Sequence, residues 1–475
     1  MKKYDFEILA VLLFTMLSPV VLSCSSESSD KDILMLEDKE EQKDQKEQEE
    51  QDNSLIHEGE ITSDRLTDNE DRFYVNKIPL TEIVASLKGD CSTQDSQLLN
   101  EQIEALSNAG GGVIKIQNGT YCIKSVQLRS NVHIKIDSDV VIQPDLSGNV
   151  AGKNINMFLV GENFYVENVA ITNSDEDNTD PSTWFKGEIP SGDNIGVRFV
   201  EFGHVNNFKF SGLSLTDNYS RFSNIVLNLP ASNNVDEASS NGVIKDVVMT
   251  GMHVGYGVVQ MQTGKSVLYK NLDGQGGVTL RVETGAAATN QINKVTVNDV
   301  VGRQLTSRNG DAAFNMSPHR VDQGRVDIEG VVSINSTHAV QIAAGFIGNK
   351  PGLIERKGTF DSRSYIGNIT VTGGVGAQIK SKDFKYFDCD DRRALILKCQ
   401  NPDNESTQGH SIGAVRDNAA AEGGCTGPDN GCYEVVVGKI TKTNTDFEQE
   451  DFFVFPTNAI GGCPQVTEPI DGSCN

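Results

Sequence analysis

Residues 96–136, SQLLNEQIEALSNAGGGVIKIQNGTYCIKSVQLRSNVHIKI, decide how this 475-residue chain folds. Leu98, Leu99, Gln102, Ile103 and Leu106 recur at helical spacing across 96–109, and Gly110-Gly111-Gly112 ends the run. The period then changes to two: Val113, Ile114 and Ile116, then Val126 and Leu128, then Val132, Ile134 and Ile136. One helix followed by a ladder of short strands is the pattern of a capped solenoid. A bare solenoid end exposes an apolar cross-section and unpaired strand edges, which such a helix covers.

Outward from this stretch the same signal persists. Short strands bounded by Gly and Asn are expected at 164–172, 205–216, 242–250, 292–300, 325–333 and 365–373. Corresponding positions return every 20 to 45 residues or so, as coils with loops of varied length would require. A sandwich of hairpins would carry more two-residue Asn-Gly turns. The expected fold is all-β: a right-handed parallel β-helix over residues 74–380 with an N-terminal cap helix. A loop-rich, cysteine-rich region follows at 381–475, with one further strand expected at 433–441.

The formal net charge of −25 argues against nucleic acid as a partner, because a phosphate backbone requires clustered Lys and Arg. Its distribution matters more than its total. Residues 25–72 hold 18 acidic and 6 basic residues, leaving −13 on the 403 residues from Phe73 onward. Too little apolar surface accompanies those acids to fold, so 25–73 is expected to be a disordered acidic linker. Before it, Lys2 and Lys3 precede an apolar run ending Leu22-Ser23-Cys24. That is a secretory leader over 1–24, and its ending resembles a bacterial lipobox. Cys24 would then carry lipid and tether a monomer to the outer membrane, facing the cell surface or the medium.

Nine cysteines minus Cys24 leave eight, an even number suited to an oxidising compartment. Proximity favours Cys91–Cys122, Cys389–Cys399, Cys425–Cys432 and Cys463–Cys474 among the 105 pairings that eight cysteines allow. No CxxC spacing suggests zinc.

Chemistry concentrates in three consecutive segments. In GGVTLRVETG (276–285), alternation sends Val278, Leu280 and Val282 inward and Thr279, Arg281 and Glu283 outward. GVVQMQT (257–263) likewise exposes Val258, Gln260 and Gln262, and AFNMSPH (313–319) exposes Asn315, Ser317 and His319. Stacked about 4.8 Å apart, these coils would bring an amide, an Arg with a carboxylate, and a His onto one face. Gln260, Arg281-x-Glu283-Thr284 and Ser317-Pro318-His319 resemble the active-site strip of the iota-carrageenases, glycoside hydrolase family 82. The likeness runs from the cap helix through at least His319.

That resemblance implies endo-hydrolysis of β-1,4 bonds in a sulfated galactan with inversion, and no required cofactor. Glu283 would be the general acid, Gln260 would help place the catalytic water, and Arg281, Ser317 and His319 would contact substrate. The family's base, an Asp two residues after the acid, is replaced here by Gly285. Three explanations stay open: a substitute base such as Asp311 or Glu201, slow turnover with Gln260 and bulk water, or a polysaccharide-binding relative without turnover.

Other residues carry two readings each. The Arg281–Glu283 pair could be an ordinary surface ion pair, and His319 a structural histidine after proline. Arg303, Arg308, Arg320 and Arg325 crowd the same coils, where 245–330 hold nine bases against eight acids. Their guanidinium forks suit sulfate esters, as they suit simple solvation; Arg303 and Arg320 are taken as substrate-binding candidates. Trp184 suits either sugar stacking or loop anchoring. The Asp-rich loop 173–180 offers oxygen ligands for calcium without EF-hand spacing.

Overall fold

A computed structural model of the chain describes residues 54–148, 154–190, 196–349, 351–398 and 405–464. The leader, Cys24 and the acidic tract to Asn53 lie outside them. The helix forms at Asp95–Asn108 and buries Leu99, Ile103 and Leu106 against Ile114, Ile123, Val126 and Ile134. It closes one end of the solenoid, as expected from the period change.

Strands then wind into three parallel ladders. The first stacks Gly112–Ile116, Val132–Ile136, Val166–Asn173 and the leading half of Val205–Thr216, and continues through Tyr365–Thr372. The second begins with Gly119–Ile123 and Val140–Pro144, and the third with Val126–Gln127, Asn154–Val160 and Gly196–Phe202. Two columns of left-handed residues pin this register. Asn168, Asn207, Asn241, Ser266 and Asp299 all have φ between +54° and +58°, at the same level of successive coils. Gly212, Asp246, Asn271, Gln304, Gly330 and Asn368 form the second column, at the corner between the first two ladders. Asn and Asp tolerate this conformation because their side chains bond locally. Here they bond along the column: Asn168 to Asn131 at 3.0 Å, Asn207 to Asn168 at 2.8 Å, and Asn271 to Asp246 at 2.7 Å.

The solenoid reaches past residue 380. Val415–Asp417 pairs with Val340–Ile342, Ile440–Lys442 with Ile369–Val371, and Phe453–Val454 with Val415–Arg416. The loop-rich region therefore interleaves with the last coils rather than following them. Its helix, Cys389–Leu397, packs in a separate cluster with Ile379, Tyr386, Phe387, Leu395 and Ile412.

Two disulfide pairings form as proximity suggested, Cys91–Cys122 and Cys425–Cys432. Cys389 pairs instead with Cys463, which removes both the 389–399 and the 463–474 pairings. The cause is docking of the C-terminal segment. Ile460 N donates to Lys385 O at 2.8 Å and Arg392 Nη2 to Ile460 O at 2.7 Å, which brings residue 463 to the helix start. Cys399 and Cys474 lie outside the described residues.

The second correction concerns residues 54–73, expected to belong to a linker. Leu55–His57 pairs antiparallel with Ile440–Lys442, and the chain then runs back along the outside of the first ladder. Arg65 bonds Asp327 through Nε at 2.8 Å and through Nη2 at 2.5 Å, Glu70 bonds Lys245 at 2.9 Å, and Arg72 bonds Asp299 at 2.7 Å. Phe73, fully buried, packs with Val243, Leu268 and Val301, and Val75 N donates to Asn207 Oδ1 at 2.8 Å. Three of the acids that made this segment look unfolded, Asp64, Asp68 and Glu70, are matched by bases on the ladder, and Phe73 with Leu66 supplies the apolar contact. Phe73→Ala should destabilise the fold by about 3–5 kcal/mol, the usual cost of truncating a buried Phe. A lower urea midpoint at unchanged slope checks this; an unchanged midpoint would show that the strap contributes nothing.

Candidate active site

Three coils of the third ladder carry the strip. Gln260 pairs in register with Arg281, Arg281 with Asn315, and Glu283 with Ser317. Leu280, Val282, Phe314 and Met316 fill the coil, so Arg281 and Glu283 project from it. The outward alternation holds for Gln260, Gln262 and Asn315, all partly exposed. It fails for Val258 and Thr279, both fully buried. They lie beside the turn from the second ladder, where Thr279 Oγ1 donates to Thr306 O at 2.6 Å. Ser317 is also buried, and its carbonyl accepts from Thr284 N at 3.3 Å.

Arg281 holds Glu283 through Nη2, and through Nε at 3.1 Å, while Nη1 donates to Gly255 O. On the other side His319 Nε2 lies 3.3 Å from Glu283 Oε1. Burial pushes the Glu283 carboxyl up, but the Arg281 charge and the His319 contact outweigh it and hold the group well below the usual carboxylate range. The free protein therefore presents Glu283 as an anion clamped between two bases. His319 sits in a left-handed backbone conformation with φ +51°. Its carbonyl accepts from Phe346 N at 3.0 Å and Gly358 N at 2.9 Å, and its ring packs 4.4 Å from the Phe346 ring. A Cβ on Gly285 would lie 3.2 Å from His319 Cε1 and 3.6 Å from Glu283 Oε1, so position 285 opens directly onto this pair.

The segment 253–256 completes the wall. Tyr256 faces the Arg281 guanidinium at 5.8 Å, and Phe222 and His253 flank its ring at 5.8 and 5.3 Å. Burial pushes the His253 imidazole down to about 4, with nearby Arg221, Lys380 and Arg281 adding to it against the opposing pull of Glu405. Strand alternation gives no hint of these residues, because they lie where the pairing of Ser240–Met261 with the next coil shifts register, between Met252 and Gly257. The one available signal is that they immediately precede GVVQMQT.

The remaining candidates lie elsewhere. Arg303 stands on the first ladder, donating to Asp327 O at 2.9 Å and Leu66 O at 3.1 Å and pairing with Asp68 at 3.5 Å. Arg320 is buried and donates to Ile354 O at 2.9 Å and to Gly348 O, holding that loop. Neither guanidinium faces the strip, so their assignment to substrate is withdrawn. Asp311 is 1% exposed, bonded to Lys380 at 2.5 Å and Gln341 at 2.7 Å. Against its burial, Lys380, Lys382 and Arg416 hold it down to about 2. Glu201, 3% exposed, accepts from Arg198 Nη1 at 3.0 Å, Asn156 Nδ2 at 2.5 Å and Asn228 Nδ2 at 3.0 Å, two coils before Gln260. A base must reach water, and neither carboxylate does. Both are set aside as substitutes for the missing Asp.

Trp184 is an anchor: it is buried, and its Nε1 donates to Asn178 O at 2.9 Å. In the same loop Asp180 accepts from Ser182 N at 3.0 Å. Among the described residues no cluster of three or more His, Cys, Asp or Glu side chains is placed to hold a metal ion.

The chain is thus a parallel β-helix whose outer face carries a carboxylate, a guanidinium, an imidazole and amides in one partly open strip. By sequence and by fold this one is a relative of the iota-carrageenases. An iota-carrageenase of Alteromonas macleodii is 29% identical over 260 residues, covering 54% of this chain and 51% of that protein. One from Zobellia galactanivorans is 28% identical over 332 residues, covering 68% and 62%. The chain thus spans between half and two thirds of the length of these relatives. Among solved structures, the family 82 iota-carrageenase of A. fortis superposes with a TM-score of 0.72 at 22% identity, covering 85% of this chain and 94% of that one. An iota-carrageenase complexed to iota-carrageenan fragments superposes with 0.66 at 22% identity, covering 83% and 93%. No protein-family model matches the chain.

Replacing Arg281 by Gln removes the cation that offsets burial, so the Glu283 carboxyl should titrate at higher pH than in the wild type. Carbon-13 NMR of the carboxyl resonance reads this directly. An unmoved midpoint would mean that Arg281 does not set the charge of Glu283.

Proposed function

We propose that the protein is an endo-acting glycoside hydrolase for a sulfated galactan of the iota-carrageenan type, with Glu283 as general acid and inversion at the anomeric carbon. The observation that carries this reading is the alignment of Gln260, Arg281 with Glu283, and His319 on adjacent coils of one ladder. Their order along the chain is that of the relatives' strip.

An acid must be protonated before it can donate, and Glu283 is held ionised in the free protein. Substrate resolves this. A sulfate ester is a bidentate acceptor for a guanidinium. A sulfate that takes Arg281 for itself removes the charge that lowers Glu283. Burial then raises the carboxyl, and His319 Nε2, 3.3 Å away, is placed to hand it a proton. Glu283 gives that proton to the glycosidic oxygen as the bond to C1 breaks. Water held near Gln260 adds to C1 from the opposite face and releases its own proton.

The acceptor for that last proton is the weak point. Inverting enzymes separate their two groups by about 6.5–9.5 Å so that a water fits between. His319 is far too close to Glu283 to be the opposite partner, and Asp311 and Glu201 are buried. With Gly285 at the relatives' base position, the proton passes to bulk solvent and turnover is slow. The same observation supports a second reading, a surface polysaccharide-binding protein that has kept the strip but lost catalysis. In either case a lipid on Cys24 would display a monomer at the outer membrane, with the acidic stretch before residue 54 as its tether and structural calcium, if bound, in its Asp-rich loops.

Reducing-end release from purified iota-, kappa- and lambda-carrageenan separates the readings. Glu283→Gln should lower release from iota-carrageenan by about 10²–10⁴-fold, the usual contribution of one acid–base group. No release from any substrate by the wild type would overturn the hydrolase and leave the binding protein. Restoring the carboxylate with Gly285→Asp should raise the rate by a similar factor, since a Cβ there faces His319 and Glu283.

A further inference from the structure

A cavity of about 640 Å³ lies at the turn between the second and third ladders, beneath the hairpin of Ala377–Ile379 and Thr407–Gly409. It is within the size range of ligand pockets. Its polar walls are Tyr219, Gln275, Asn309, Gln378, Lys398 and Gln408, over a floor of Gly251, Met252 and Gly276. No acidic side chain is among them. Gln378 fastens the hairpin to the floor, accepting from Gly277 N at 2.6 Å and donating to Met252 O at 3.2 Å, so the cavity is preformed. A Cβ on Gly276 would come within 2.6 Å of Met252 O, so glycine there keeps the floor low.

Two features point to a ligand. Tyr219 is held at φ +63°, directly after Asn218 at +50°. These two left-handed residues form a tight turn, held by Tyr219 N donating to Gly251 O at 2.7 Å, and the turn fixes Tyr219 on the cavity wall. Lys398 Nζ donates only to a carbonyl, Gln408 O at 3.0 Å, and has no carboxylate partner among the described residues. The cavity also adjoins the candidate active site. Met252 lines it, and three residues on, Gly255 O accepts from Arg281 Nη1. Three peptide units span at most about 11 Å.

We propose that this cavity binds a sulfated sugar unit flanking the one held at Glu283. Tyr219 offers its ring to the apolar face of the pyranose, the amides of Gln275 and Asn309 bond its hydroxyls, and Lys398 pairs with its sulfate. The proposal rests on the sulfated-galactan reading above, and its test separates the two.

In the Glu283→Gln background, which holds substrate without cutting it, affinity for an iota-carrageenan tetrasaccharide is measured by calorimetry. A neutral agarose tetrasaccharide serves as control. Lys398→Ala should weaken binding of the sulfated probe about tenfold, as for loss of one charge-assisted contact, and leave the neutral one unchanged. Tyr219→Asn, which keeps a residue tolerant of positive φ, should weaken both. With Glu283 intact, Lys398→Ala should raise KM for iota-carrageenan and leave kcat within about twofold. Unchanged affinity in both variants overturns the pocket, whatever the activity. Absence of activity in the wild type, with affinity still falling in the variants, overturns the hydrolase and keeps the pocket.

Discussion

The register of the coils depends on residues held in a backbone conformation that most side chains avoid. Left-handed geometry costs a residue with a Cβ about 1–2 kcal/mol, and each coil accepts it at two corners. Asn168, Asn207 and Asn241 stand in one column, Asp246 and Asn271 in the other. Bonds along the columns, from Asn207 to Asn168 and from Asn271 to the Asp246 carboxylate, offset the cost, and they do so only when successive coils are in phase. A slip by one residue would break the column and turn every outward side chain of the ladder inward. Beyond the second corner the pairing of these coils shifts, from Met249 with Gly274 to Gly257 with Val278, and the register after that shift sets Gln260, Arg281 and Asn315 level on the third ladder.

Within that frame the strip is governed by competition for one guanidinium. Each of the three guanidinium nitrogens of Arg281 donates in the free protein, Nε and Nη2 to Glu283 and Nη1 to Gly255 O. An incoming sulfate has to displace the Glu283 carboxylate from it. Under the proposed function, binding and acid activation become a single event, since the anion that docks also releases Glu283. Buried ion pairs of this kind add little net stability, which fits a role in switching charge rather than in holding the coil.

Much of this was legible along the chain because it repeats. The switch from helical to strand period at Gly110–Gly112 is a local signal that the structure follows, and alternation over 276–285 and 313–319 holds for Arg281, Glu283, Asn315 and His319 but not for Thr279 or Ser317. What was not legible depends on partners far away in sequence. The segment 54–73 looks unfolded by composition, yet Arg65 meets Asp327 across 262 residues. Arg303 and Arg320 have the type and neighbourhood of sulfate ligands, but one sits on a different ladder and the other is turned into a loop. Asp311 and Glu201 are acids near the right coils, and only burial reveals that they are sealed. The pairing of Cys389 with Cys463 is equally non-local.

The same non-local contacts change what the charge balance means. The concentration of bases over 245–330 seemed to prepare a broad positive field for an anionic polymer. Glu70 pairs with Lys245 and Lys270, Asp68 with Arg303, and Asp64 with Arg325, so the strap neutralises most of that field on the first ladder. Exposed Arg308 is paired with Asp273. Near the third ladder and its adjoining turn Arg281 is held by Glu283, Lys380 by Asp311 and Arg221 by Glu405, while Lys398 donates to a carbonyl, Gln408 O. A diffuse field attracts any polyanion and is screened by salt. Isolated donors on a register fixed by backbone geometry instead favour a polymer whose sulfates recur at matching intervals. Under the proposed function, the acids of the strap contribute to selectivity, because they neutralise bases on the first ladder that would otherwise bind anions without regard to spacing.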